Sequence, residues 1–186
     1  MSETNRVMTF IDNSNVYGSI RDLYRVDKSW VKSYDPLELS KKLAGDRDLV
    51  GVNFYCAPPP PYLQQDGEES EQKYWYQMDY YESIKKLPLV TFKLGYLTGP
   101  RDNLSEKNVD TQIVADMIVQ ANQNKYDTAI LCSNDGDYSS AIQAVKEMGK
   151  RVEVMYFKGM CSYSLIRECD VQRRARMSHF IKIKKK

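Results

Sequence analysis

The chain has 186 residues, 42% of them hydrophobic and 28% charged, which is typical of a soluble globular protein with one substantial core. Its net charge of +2 is uneven, because seven Lys or Arg and no acidic residue lie in the basic tail, residues 173–186. A net acidic body with a basic tail excludes the uniformly basic surface of a DNA-coating protein. No apolar stretch approaches the roughly 18 residues of a membrane span, and the start lacks a signal sequence, so we expect a cytoplasmic protein.

Short apolar runs alternate with helical segments along the chain. The runs are Val7–Ile11, Leu49–Cys56, Leu89–Leu94, Thr128–Cys132 and Val152–Tyr156. Helices are predicted to begin at Asp35-Pro36 and to cover Asp110–Asn124 and Asp137–Gly149. Strands that alternate with helices pair in parallel through right-handed crossovers. The pattern predicts one α/β domain over residues 1–186, a three-layer α/β/α sandwich around a mainly parallel sheet of about five strands.

The first run ends on Asp12, followed by Asn13, Ser14 and Asn15. Such residues favour turns and helix caps, but ligands of open parallel sheets bind at the carboxyl ends of the strands. The fourth run is also followed by polar residues, in the sequence SNDGD from Ser133 to Asp137. If the two strands are neighbours, both polar clusters lie at one edge of the sheet.

The helix from Asp110 contributes a third acidic position. It precedes the fourth strand, so its amino end should lie at the same edge, and helical periodicity places Asp110 within the apolar face. Asp116 follows six residues later on the flank of that face and is a weaker candidate ligand.

Together, Asp12, Asp110, Asp135 and Asp137 would form a cluster of oxygen ligands. Carboxylates held close together repel unless a cation is present, and oxygen ligands without Cys or His match Mg²⁺ or Mn²⁺. The one histidine, His179, argues against a multi-histidine zinc site. Such a cluster suits phosphodiester cleavage. Helix or turn capping is the alternative for each of the last three aspartates.

An aromatic segment separates these motifs. Residues 57–67 contain four consecutive prolines and precede a predicted helix over 68–86 with five Tyr or Trp. The helix can pack one aromatic face into the core and offer the other to a partner, to a second copy of the chain or to nucleic-acid bases.

Three motifs carry a resemblance to a known family. They are FIDNSNVYG, EKNVDTQIVADM and YDTAILCSNDGDYSSAIQAVKEMGKRVEV, and the similarity extends from Arg6 to about Asp170. The chain resembles the NYN domain, in its LabA-like branch of the PIN-like nucleases. The resemblance implies a Rossmann-like sheet with the first and fourth strands adjacent, and metal-dependent ribonuclease activity or RNA binding. A segment SYSLIRECD resembles the family's closing motif, but an apparent basic insert follows Asp170.

The resemblance also implies roles for individual residues. Asp12, Asp110, Asp135 and Asp137 would hold the metal directly or through water, while Asn15 and Ser133 would orient those ligands or the phosphate, and Asp116 fits the central motif. RNA-backbone contacts are predicted for Lys107, Arg101, Arg173, Arg174 and Arg176, with a solvated loop charge as the alternative for Lys107 and the favoured reading for Arg101.

Three other functions are alternatives to a ribonuclease. A non-cleaving RNA-binding or regulatory module would keep the same acidic pocket. A haloacid-dehalogenase-like phosphatase needs a second Asp at the position of Ser14, which argues against it. A partner-binding protein would act through the aromatic helix.

Overall fold

A computed structural model describes residues 5–24 and 34–180 of the chain, with the side chains of residues 23 and 24 excepted. It contains eight β-strands in the described ranges. They are β1 (Arg6–Asp12), β2 (Asp48–Cys56), β3 (Val90–Leu94), β4 (Tyr96–Thr98), β5 (Ser105–Lys107), β6 (Thr128–Cys132), β7 (Arg151–Tyr156) and β8 (Val171–Arg174). The five strands predicted from the apolar runs are all present.

Six strands form one sheet in the order β3-β2-β1-β6-β7-β8, with every neighbouring pair parallel. Chain order reverses between β1 and β6, whose ends align with Ile11 opposite Cys132. The carboxyl ends of these two strands flank the crevice where ligands bind in open α/β sheets. The predicted adjacency of the first and fourth runs is confirmed.

Helices cover both faces of the sheet. They are α1 (Asn13–Tyr24), α2 (Pro36–Ala44), α3 (Glu68–Lys85), α4 (Val109–Asn122), α5 (Ser139–Glu147), α6 (Tyr163–Glu168) and α7 (Met177–Phe180). One buried cluster joins α1, α2, α3 and α7 to the sheet, and the other joins α4, α5 and α6 to the opposite face. Within β1, Val7 and Ile11 belong to the first cluster, while Met8 and Phe10 belong to the second. The three-layer α/β/α sandwich is therefore confirmed.

The start of α2 follows its sequence signal. Asp35 caps the helix by accepting hydrogen bonds from the backbone N–H groups of Leu37 and Glu38, and Pro36 occupies the first helical position. Proline is favoured there because its missing N–H would have no partner within the helix.

The sixth strand of the sheet corrects the interpretation of the carboxyl end. Arg173 and Arg174 form the second half of β8 rather than the beginning of a tail. Arg173 donates to the buried carboxylate of Glu153, which also receives two hydrogen bonds from Arg47 at 2.9 and 3.1 Å. A buried carboxylate needs such partners, because leaving it unpaired is strongly destabilising. Residues 181–186 of the predicted tail lie outside the described residues.

A small hairpin interrupts the α/β alternation before α4. Strands β4 and β5 pair antiparallel, with Leu97 opposite Glu106. Sequence reasoning treated this segment as a loop, because three-residue strands show too little alternation to identify. Among the described residues, no helix combines the length and the apolarity that crossing a membrane requires.

Candidate functional site

Asp12 is the centre of the candidate site. It is the last residue of β1, and only 5% of its surface is exposed. Its Oδ1 accepts the backbone N–H of Asn15 at 3.1 Å, its Oδ2 accepts the hydroxyl of Ser133 at 3.2 Å, and the hydroxyl oxygen of Tyr138 lies 3.2 Å from the same Oδ2. These neighbours come from the first turn of α1, the end of β6 and the turn before α5. They hold the carboxylate at the topological switch point.

Tyr138 connects Asp12 to the helix α4. Its hydroxyl donates to Asp110 Oδ1 at 2.6 Å, while the same oxygen lies 3.2 Å from Asp12 Oδ2. Asp110 is in the first turn of α4, as predicted, but it is exposed. Around the helix Asp110 falls between the buried Met117 and Ala121, as expected, and its exposure goes with its place in the first turn. The site thus contains two carboxylates bridged by one tyrosine.

Glu106 adds a third acidic side chain near this pair. It belongs to β5, and its carboxylate accepts the hydroxyl of Ser14 at 2.6 Å. Burial raises the pKa of Glu106, and the charge of Asp110 adds to the increase. Glu106 and Tyr138 were not identified as site residues from the sequence. Only their positions could have indicated this role, because Glu106 lies four residues before Asp110 and Tyr138 directly follows SNDGD.

Burial and neighbouring charge also act on Asp12. The pKa of Asp12 is raised to about 6, chiefly by burial and also by the charges of Asp110 and Glu106, against the hydrogen bonds from Asn15 and Ser133 that lower it. Asp12 resists ionisation and lies near two other carboxylates. A bound cation would lower the repulsion among these groups. Because all three side chains offer oxygen ligands, a hard divalent cation fits their chemistry.

The ligand set is nevertheless incomplete in this arrangement. In the described ranges, no group of three or more His, Cys, Asp or Glu side chains stands close enough together to hold a metal ion. Asp12 and Asp110 are brought together, and Glu106 lies within electrostatic range of both. The donor chemistry fits a divalent cation, while a closed coordination shell is absent from the part of the chain that is described.

Asp135 and Asp137 lie in the turn after β6. Asp135 accepts the backbone N–H of Asp137 at 3.0 Å and caps the 3₁₀ turn Gly136–Tyr138. Asp137 is exposed. Gly136 is required for close packing, because a Cβ there would lie 2.5 Å from Ser162 Oγ. The capping alternative thus describes the contacts of Asp135, and metal ligation by either residue stays a prediction.

Asn134 organises the same edge from the other side. Its backbone N–H and its side-chain amide donate to Asn15 Oδ1 at 3.0 and 3.1 Å, and the amide also donates to Ser19 at 2.7 Å. Its side-chain oxygen accepts the backbone N–H of Phe157 at 2.8 Å. Asn134 therefore ties α1, β6 and the end of β7 together, and it orients Asn15 through that residue's side chain.

Replacing this hub should destabilise the protein. We expect Asn134→Ala to lower the free energy of unfolding by about 3 kcal/mol, because a buried backbone N–H and several polar atoms lose their partners. Urea unfolding followed by circular dichroism measures the change. Asn122→Ala, at an exposed position of α4, is the matched control and should stay within about 0.5 kcal/mol of the parent protein. Equal losses in the two variants would contradict the proposed role.

Asp116 has other partners. Its carboxylate accepts the hydroxyl of Tyr55 at 2.6 Å and forms an ion pair with Lys93 at 2.6 Å. A carboxylate already neutralised by a lysine is a poor cation ligand. The structure therefore gives Asp116 a role in joining α4 to β2 and β3.

The basic residues predicted to contact RNA occupy different places. Arg101 pairs with Asp66 and lies over the ring of Tyr62 at 4.9 Å, in agreement with the favoured structural reading. Lys107 is exposed at the end of β5, immediately before α4. Arg173 is engaged by Glu153, whereas Arg174 and Arg176 are exposed. Contacts of these residues with RNA stay predictions.

Comparison with known proteins identifies the family. The NYN domain profile matches residues 6–174, which include every strand of the sheet and all the candidate carboxylates. The chain belongs to the NYN domain family, which is part of the PIN-like nuclease superfamily.

Further comparisons bear on the fold. No curated protein matches the sequence significantly. A crystal structure of a protein of unknown function from Vibrio parahaemolyticus is similar in fold, with a TM-score of 0.67 and 19% identity, over 97% of this chain and 98% of that one. At this identity the likeness supports the architecture alone.

Proposed function

We propose that the protein is a metal-dependent ribonuclease that hydrolyses RNA phosphodiester bonds at the Asp12 site. The observation that carries the proposal is the bridge in which Tyr138 joins a buried Asp12 to Asp110 at the switch point of the sheet. Membership of a nuclease-type superfamily supports the same reaction class. Assignment to the LabA-like branch is part of this proposal.

The residues of the candidate site would have different roles in this reaction. Asp12 and Asp110 would hold Mg²⁺ or Mn²⁺, with Glu106 nearby and with Asp135 and Asp137 acting directly or through water. When bound, such an ion activates water and neutralises charge on the phosphate. Asn15 and Ser133 fix the orientation of the Asp12 carboxylate through the hydrogen bonds described above.

The proposed substrate is RNA, approached from the edge that carries the carboxylates. Lys107 ends β5 just before α4, where its charge would contact the RNA backbone. The exposed Arg174 and Arg176 and the remainder of the basic tail would add affinity that falls with salt. Pairing of two copies through α3 stays a prediction; Trp75 and Tyr76 on this helix are 50% and 43% exposed.

The test is cleavage of a fluorescently labelled single-stranded RNA in the presence of Mn²⁺. We expect cleavage by the wild-type protein that disappears with EDTA and falls by at least about 10²-fold in Asp12→Asn, because the central carboxylate is lost. Residual cleavage by Asp12→Asn would reveal contaminating nucleases, and Asp46→Asn is the matched control that should cleave like the wild type, since Asp46 is exposed next to the amino end of β2, at the opposite edge of the sheet. Equal cleavage by all three proteins would contradict the proposal.

A non-cleaving RNA-binding or regulatory module is the second candidate. The observation that favours it is the lack of a closed ligand group among the described residues, with Asp135 engaged in its own turn. RNA binding by the wild-type protein without cleavage in either Mg²⁺ or Mn²⁺ would support this function instead.

A further inference from the structure

A pocket of about 430 Å³ lies beside the candidate site, on the other side of Glu106. One wall is a face of α1 with Asn13, Tyr17 and Gly18, and the opposite wall is a face of α3 with Gln77 and its tyrosine neighbours. The proline-rich segment after β2 and the β4–β5 hairpin complete it. The volume is within the usual range for sites that enclose a small organic ligand, about 300–1,000 Å³.

Two of the three tyrosines that line the pocket have their hydroxyl groups engaged within the protein. The Tyr80 hydroxyl donates to the Tyr34 carbonyl at 2.8 Å, and the Tyr81 hydroxyl donates to the Ala57 carbonyl at 2.9 Å. Tyr17 lies half-buried on the opposite wall. Because backbone carbonyls engage these two hydroxyls, Tyr80 and Tyr81 are held in place, and tyrosine rings beside a pocket suit a flat aromatic ligand.

Polar groups with spare hydrogen-bonding capacity occupy the same walls. Asn13 accepts the Tyr34 hydroxyl at 3.0 Å with its side-chain oxygen, which leaves its amide nitrogen as a donor. Gln77 donates to the Tyr81 hydroxyl at 2.6 Å, which leaves its side-chain oxygen as an acceptor. One amide donor, one amide acceptor and aromatic rings in one pocket are the groups that recognise the edge and the face of a nucleobase.

The position of the pocket connects it to the chemistry. Glu106 and Ser14, which are joined by a 2.6 Å hydrogen bond, line the pocket. The charge of Glu106 in turn acts on Asp12 and is acted on by Asp110. A ligand in the pocket is therefore next to the carboxylates. A base inside a duplex is stacked and paired, so a base that enters the pocket must first be unpaired.

We propose that this pocket binds the base and ribose of one unpaired RNA nucleotide next to the phosphate that is cleaved, an inference that rests on the proposed ribonuclease function. Three features support a nucleotide as the ligand. They are the aromatic residues of the pocket, its two amide side chains and the position of Glu106 between the pocket and the carboxylates.

Gly18 offers a way to fill the pocket without touching the carboxylates. A Cβ added to this helical glycine meets no atom within 4 Å, and Gly18 lines the pocket. Gly18→Phe should therefore occupy the space, and it should melt no lower than the parent protein, because glycine is unfavourable within a helix. Val119→Phe, at a half-exposed position near the far end of α4, is the matched control.

The experiment measures binding of a fluorescein-labelled single-stranded RNA heptamer by anisotropy. It uses Asp12→Asn as the parent, which removes cleavage and one negative charge. We expect Gly18→Phe to weaken binding by about tenfold, an effect of the size of one lost base-stacking contact, whereas Val119→Phe has no effect. A set of heptamers, each with one abasic position, should include one that binds the parent about tenfold more weakly than the intact heptamer. The affinity of that heptamer should not change with Gly18→Phe.

The outcomes separate the two proposals. The pocket assignment is overturned if Gly18→Phe and Val119→Phe bind the RNA equally well, or if no RNA binds at all. It is also overturned if the loss from Gly18→Phe adds in full to the loss from every abasic position. If this binding pattern holds but the protein with native Asp12 does not cleave RNA, the nuclease proposal falls and the nucleotide pocket stands. If the protein cleaves RNA and Gly18→Phe does not change the cleavage, the nuclease proposal stands and the nucleotide pocket falls.

Discussion

Asp12→Asn is expected to make the metal-free protein more stable at neutral pH while it removes the proposed activity. In the folded protein the pKa of Asp12 is about 6, against 3.8 for an aspartate in the unfolded chain. The folded state therefore binds this proton more tightly. Its stability falls as the pH rises from about 4 to 6, by up to about 3 kcal/mol. Asparagine has no charge to bury, so the variant avoids this loss.

The hydrogen bonds of Asp12 can survive the substitution. The Asn15 N–H can still donate to the side-chain oxygen, and the hydroxyls of Ser133 and Tyr138 can accept from the new amide. We expect the melting temperature of Asp12→Asn in EDTA to exceed that of the wild type at pH 7.5 and to approach it at pH 4. Calorimetry across this range provides the measurement, with Asp46→Asn as control. A variant less stable than the wild type at pH 7.5 would show that the buried carboxylate is not a source of strain.

Divalent cations are expected to produce the second large effect. At a concentration about one hundred times the dissociation constant, Mn²⁺ or Mg²⁺ bound only to the folded state adds about 2.7 kcal/mol of stability. For a chain of this size, the melting temperature should rise by about 5 to 10 °C. The increase has a physical cause in the repulsion among Asp12, Asp110 and Glu106, which a cation removes.

Variants identify the origin of this stabilisation. In Asp12→Asn and Asp110→Asn the response to Mn²⁺ should shrink to less than about 2 °C, because each loses one oxygen ligand and one charge. Asp46→Asn should respond like the wild type, and potassium chloride of equal ionic strength should reproduce little of the shift. A response that is the same in every variant would place the bound ion elsewhere.

The sequence predicted the edge of the sheet at which the candidate site lies. Strand ends are visible where an apolar run meets polar residues, and parallel pairing brings such ends together. Asp12 and Ser133 were located in this way, and their contact in the structure confirms the geometry. Side-chain partners from distant segments are not visible in this pattern. Lys93, which neutralises Asp116, is 23 residues away, and its role depends on how β3 and α4 pack.

Short and amphiphilic elements were harder to predict. Glu106 was missed because β5 has only three residues, and Tyr138 was missed because an aromatic residue after a turn usually belongs to the core. The second half of strand β8 was predicted as part of the basic tail. In the structure, exposed Gln172 and Arg174 alternate with half-buried Val171 and Arg173. Such an alternation indicates a strand only when the apolar side is recognised, and here an arginine paired to Glu153 occupies it.

The placement of Arg173 and Arg174 in β8 has a consequence for self-association. In the described part of the chain, β8 is the outermost strand on its side of the sheet, and its backbone groups along that border have no further strand to pair with. Charged side chains on such a border discourage two molecules from zipping together into a continuous sheet. Replacing the exposed Arg174 with threonine, while Arg173 stays paired with Glu153, would leave a more β-prone margin and should lower the concentration at which the protein precipitates.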